Sequence, residues 1–126
     1  MKEATEMPRI CDDSGCELIP NLIIAESTLS RLRGLLGRME LADDTAMLIR
    51  PCRSIHMFFM RFPIDALFLG IDGKVLKAEK DLRPWRISFA PKGTQAVLET
   101  AAGFINENSI AAGQRLTIKQ DIARGL

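Results

Sequence analysis

Ile64-Asp65-Ala66-Leu67-Phe68-Leu69-Gly70-Ile71-Asp72-Gly73-Lys74-Val75 is the stretch that decides the fold class. From Ile64 to Ile71 the chain is apolar at almost every position, the pattern of a strand covered on both faces. Asp72-Gly73 interrupts that run. An Asp-Gly pair between two strand-like segments is read as a two-residue hairpin turn in which both residues take positive φ. Beyond it, Lys74 to Lys80 alternates charge with apolar residues, a strand with one face in solvent.

Working outward, Pro63 separates this strand from Ser54–Phe62, an apolar segment read as a buried strand or extended stretch. Ala46–Ile49 is a short strand stopped by Pro51. Leu18-Ile19 and Leu22–Ile24 flank Pro20-Asn21 and read as strands at a sheet edge, where proline is tolerated. On the other side, residues 82–93, punctuated by Pro84, Pro91 and Gly93, read as irregular. Gln95–Thr100 is a strand, Ala101–Asn108 holds a short helical turn, and Arg115–Lys119 is a last strand.

Only one segment has a helical period. Leu29, Leu32, Leu35, Leu36 and Met39 share a face behind a cap at Ser27 or Thr28, giving a helix over about residues 28–38. With a single helix available for crossovers, βαβ units are set aside. The expected architecture is α+β, mostly β: a small barrel- or sandwich-like sheet of six to seven short strands with one packed helix. Residues 1–16 read as a flexible leader and 17–126 as one domain.

The chain has 126 residues, 47% apolar and 26% charged, with a net charge of +1. That is enough chain to bury one core without disulfides or metal, and too little positive charge for a broad phosphate-binding field. The balance conceals an asymmetry. Residues 1–26 carry two bases against six acids, whereas residues 27–92 carry twelve bases against seven acids. Three cysteines, an odd number, fit reduced thiols. With no apolar signal core and no stretch of about 20 apolar residues, the chain is expected to be soluble and cytoplasmic, without a membrane span.

The order of the motifs resembles the domain of unknown function 192 family. The resemblance rests on Arg31-Leu32-Arg33-Gly34-Leu35-Leu36, Ala46-Met47-Leu48, His56-Met57-Phe58-Phe59-Met60-Arg61, Pro63-Ile64-Asp65, Leu67-Phe68-Leu69, Asp72-Gly73-Lys74-Val75, Val97-Leu98-Glu99, Ala102-Gly103 and Ala112-Gly113. It covers about residues 22–119. Gly70 and Gln114 stand where aspartates are usual, and Ala46 where glycine is frequent. The resemblance implies one β-rich domain and no assigned activity.

With one His, one Trp and no Tyr, few residues are available for chemistry. Cys52, His56 and Met60 share parity and are soft ligands, but on a strand they would stand about 13 Å apart, too far to share an ion. No metal or cofactor is expected. Cys52 with His56 and Asp65 would make a nucleophile set only at contacts near 3 Å. Asp65 reads first as a structural carboxylate that accepts backbone N–H groups or pairs with Arg61 or Arg86. The alternative is a binding cleft formed by His56, Met60, Arg61, Asp65, Trp85, Arg86 and Glu99, in which guanidinium groups and an indole would form one wall and carboxylates the other.

Three functions follow. The first is a non-catalytic small-ligand-binding or accessory module. The second is a hydrolase using Asp65, His56 and Glu99. The third is a protein-interaction domain with apolar surface around the helix or Trp85. The phenylalanines mostly sit in apolar runs, which places them in the core and makes nucleic acid an unlikely partner; an unknown small molecule or protein is expected instead.

Overall fold

A computed structural model describes residues 8–26, 41–50, 54–56 and 62–119, with backbone alone at 54–56. Its strands are β1 (Arg9–Cys11), β2 (Glu17–Ile19), β3 (Asn21–Ala25), β4 (Thr45–Ile49), β5 (Ser54–His56), β6 (Ile64–Leu69), β7 (Val75–Leu82), β8 (Ile87–Phe89), β9 (Ala96–Ala101) and β10 (Thr117–Lys119). Among the described residues there is one helix, α1 (Phe104–Glu107).

The architecture is mostly β with a short helix. A five-stranded sheet runs β3-β4-β9-β6-β7, a three-stranded sheet runs β10-β1-β2, and β5 pairs with β8. The outer strands β3 and β7 do not pair with one another, so the described strands close no barrel and the arrangement is sandwich-like.

β6 behaves as its sequence demands: all six residues are buried. Alternation sends Leu67 and Leu69 to one face of the large sheet and Ile64, Ala66 and Phe68 to the other. Each face has its own core. Leu67 and Leu69 pack with Leu48, Leu98 and Val75, and with Ile10, Ile19, Phe104 and Ile105 from the small sheet and the helix. Ala66 and Phe68 pack with Met47, Ile49, Phe62, Leu82 and Val97.

Several sequence readings change. There are ten strands among the described residues, not six or seven, because three-residue pieces carry no periodicity of their own. Arg9–Cys11, within the stretch read as a leader, forms β1 between β10 and β2, and Ile10 is in the core. β3 and β4 are parallel, although crossover units had been set aside. A parallel pair requires a long crossover, and residues 26–44 supply it; the helix expected over 28–38 falls in this connection, outside the described residues. Residues 82–93 are not wholly irregular, since they contain β8.

The Asp72-Gly73 turn is in the expected place but is of a different type. Gly73 N–H donates to the Gly70 carbonyl (3.1 Å) and Gly70 N–H to the Lys74 carbonyl (2.8 Å). Of the two turn residues only Gly73 has positive φ, 86°. This is a three-residue loop, a type I turn closed by a left-handed residue. The cause lies across the chain: Leu116 N–H donates to the Gly73 carbonyl (2.9 Å), and a Cβ on Gly73 would run into the Leu116 carbonyl.

Gly73→Ala is therefore expected to lower stability by about 2 kcal/mol or more, through a left-handed backbone and a backbone collision together. Gly15 has the same φ, 87°, with open space around it. Gly15→Ala should cost only the conformational part, about 1 kcal/mol. Urea unfolding midpoints of the two variants check this; equal losses would remove the collision.

Candidate functional site

Asp65 lies on β6 at an irregularity in the β6–β7 ladder. Ile64 pairs with Leu82 and Ala66 with Glu79, so Lys80 and Asp81 together oppose Asp65. This is a bulge, and its second residue, Asp81, takes φ 51°. The bulge turns the Asp81 N–H toward Asp65 Oδ1 at 2.9 Å. Oδ2 of the same carboxylate accepts from Gly103 N–H at 3.1 Å and Ile105 N–H at 2.9 Å.

Gly103 is the cap residue of α1, and no side chain of the helix's own cap bonds to it. Asp65 thus caps the helix from another strand, satisfying donors that every helix N-terminus leaves open. The carboxylate is 1% exposed. The structural reading of Asp65 holds, with backbone amides as the partners rather than Arg86.

Glu99 is fully buried on the opposite side of the same sheet. Asp65 stands opposite Thr100, and Glu99 opposite Ala66 and Met47. With a side-chain period of two, Asp65 and Glu99 point to opposite faces. They share no cleft, so the proton-transfer set of Asp65, His56 and Glu99 is corrected: groups that exchange protons need mutual approach within about 3–5 Å. His56 is placed only by its backbone, opposite Ile87 in the β5–β8 pair. Cys52, Met60 and Arg61 lie outside the described residues. Among the described residues no three His, Cys, Asp or Glu side chains come together in a metal-binding group.

β8 lies on the Glu99 side. Ser88 Oγ donates to Glu79 Oε1 (3.1 Å), and Lys77 Nζ donates to Ser88 Oγ (3.3 Å) and the Phe89 carbonyl (3.0 Å). Lys77 also pairs with Glu79 at 3.3 Å and stands 5.2 Å from the Phe68 ring centroid. This network fixes Ser88 inward, which turns Ile87 and Phe89 outward. Phe89 is exposed, whereas Phe62, Phe68 and Phe104 are buried, as expected of the phenylalanines in apolar runs. Trp85 precedes β8, exposed and at φ 70°, a conformation that costs a bulky residue free energy. Arg86 is also exposed, beside an open cavity of about 270 Å³ that Glu79, Asp81, Arg83 and Ile87 help to line.

A second cavity, which no local sequence pattern signals, lies elsewhere. It has a volume of about 560 Å³ at one end of the large sheet, on the Asp65 side. Leu48, Leu69, Ala96 and Ile118 form its apolar walls, and Glu26, Arg50 and Gln95 supply polar groups. These residues come from β3, β4, β6, β9 and β10 or their immediate ends, so only strand register brings them together. Gly70 also lines it, at a position the resemblance had marked as departing from the usual aspartate.

Asp65→Asn keeps the shape of the side chain but removes its charge and one acceptor oxygen. It should destabilise the domain by about 2–3 kcal/mol. Hydrogen exchange at the Asp81, Gly103 and Ile105 amides should accelerate more than elsewhere; uniform acceleration would mean that Asp65 braces no particular junction.

Comparison with known proteins places this architecture. A UPF0127 protein of Thermococcus sibiricus is 30% identical over 97 residues, covering 74% of this chain and 62% of that protein. A UPF0127 protein of Pyrococcus furiosus is 29% identical over 105 residues, covering 81% and 90%. The match thus spans somewhat less than two thirds of the Thermococcus protein. A crystal structure from Sinorhizobium meliloti, provisionally described as a transcription regulator, superposes with a TM-score of 0.75 at 25% identity, covering 94% of this chain and 96% of the other. A protein of unknown function from Novosphingobium aromaticivorans superposes with a TM-score of 0.74 at 22% identity, covering 91% and 93%, and shares the fold. The family profile described as "Uncharacterized ACR" matches residues 11–118, nearly the whole described domain, and the chain belongs to that family, the domain of unknown function 192.

Proposed function

We propose that the domain is a non-catalytic binding module that takes a small, largely apolar molecule with one polar end. The observation that carries this reading is the cavity of about 560 Å³ at the end of the five-stranded sheet. Its size falls in the range of small-molecule sites, about 300–1,000 Å³. Its lining has the matching character, apolar walls with a few polar groups at fixed places. Arg50 offers a planar fork for a carboxylate or phosphate, and Gln95 offers both a donor and an acceptor. The placement of the buried carboxylates supports the same reading: Asp65 is committed to backbone amides, and Glu99 lies on the other face of the sheet.

The Sinorhizobium relative's description would bring nucleic acid as a second reading. The net charge of +1 weighs against it, because phosphate contacts supply most non-specific affinity for nucleic acid.

Phenylbutyrate, an apolar body with one carboxylate, is a suitable probe. In a titration followed by amide NMR, shifts should concentrate at Arg50, Gly70, Gln95, Ala96 and Ile118. Arg50→Gln should weaken phenylbutyrate roughly tenfold and leave its neutral amide unchanged. Gln95→Phe, which fills the mouth, should abolish both responses. Shifts scattered over the surface would end this reading.

A further inference from the structure

We propose that the exposed Trp85–Phe89 segment docks on an anionic lipid surface. This goes beyond the small-molecule reading and does not depend on it. Five large apolar side chains are notably exposed among the described residues, and three of them fall within five consecutive positions: Trp85 (60%), Ile87 (47%) and Phe89 (70%). Their exposure is built into the fold. Ser88 is held inward by Glu79 and Lys77, so its neighbours on β8 must turn outward, about 7 Å apart along the strand.

Charge complementarity identifies the partner. Between Asp81 and Glu99 the chain has three bases, Arg83, Arg86 and Lys92, and no acid. Arg83 is paired with Asp81 at 3.2 Å; Arg86 shares an open cavity with Glu79 and Asp81, yet it and Lys92 are exposed and in no ion pair among the described residues. An indole, an aliphatic and a phenyl side chain, with Arg86 among them and Lys92 three residues beyond, is the composition of an interfacial segment. The rings and the Ile87 side chain enter the headgroup boundary while the cations meet lipid phosphates. Stacking on nucleic-acid bases would use the two rings but leave Ile87 without a role. A second copy of the same patch would bring cations against cations. The membrane would be touched, not crossed: no described helix is long and apolar enough to span it.

Trp85 is the chain's only tryptophan, so its fluorescence reports on this segment directly. The full chain is titrated with phosphatidylcholine vesicles, with vesicles containing phosphatidylglycerol in addition, and with soluble polyglutamate. The expected result is a blue shift and co-sedimentation with the anionic vesicles only. Phe89→Ser and Ile87→Ser should each reduce partitioning by roughly tenfold, and Arg86→Gln with Lys92→Gln by a similar factor, all with unchanged melting temperature because the side chains are exposed. No shift with anionic vesicles, equal binding to both vesicle types, or a response to polyglutamate that exceeds the vesicle response would each overturn the proposal, the last in favour of an acidic polypeptide.

Discussion

The buried carboxylate of Asp65 is the constraint around which this fold is arranged. Taking a carboxylate out of water costs several kcal/mol unless donors replace the lost hydration. Here three backbone amides do so, from Asp81 on β7 and from Gly103 and Ile105 at the start of α1. They can converge only if β7 bulges opposite Asp65 and α1 begins where it does. The positive φ of Asp81 is the local cost of that convergence. One side chain thereby fixes the register of β6 against β7 and the position of the helix that closes the first core.

The sheet built around this junction also divides the molecule's chemistry. Odd positions of β6 and even positions of β9 look toward the small sheet, α1 and the large cavity. The alternate positions look toward Lys77, Glu79, Ser88 and β8. Because β6 and β9 are buried on both faces, no side chain reaches through. The polar groups of the cavity and the cations beside Trp85 are thus separate sets.

What could be read from the sequence was what local pattern determines. The two-sided burial of β6 follows from its unbroken apolar run, and the structural role of Asp65 follows from a carboxylate set in such a run beside proline. The turn at Asp72-Gly73 was located correctly, but its type depends on the bulged ladder and on Leu116, which lies far along the chain. β8 is hidden because three residues between prolines carry no readable period, so Ile87 and Phe89 read as part of an irregular stretch. The cavity was not legible at all. Glu26, Arg50, Gly70, Gln95 and Ile118 come from five separated segments, and the parallel pairing of β3 with β4 that aligns the first two has no local signature.

The two surfaces are joined by a short link. From Phe89 the chain passes through Pro91–Thr94 to Gln95 at the cavity. That link is tied down: the Thr94 hydroxyl and N–H both donate to the Pro91 carbonyl, at 2.8 and 3.2 Å, and Gln95 N–H donates to the Leu69 carbonyl at 2.8 Å. Coupling between distant sites requires an element with two arrangements that both sites bias. A proline-started turn held by paired hydrogen bonds at one end and bonded to the central sheet at the other is a restrained link. The geometry therefore favours independence. A molecule in the cavity and a surface against Trp85 would each be held by the same rigid sheet, and neither would report its occupancy to the other through this link.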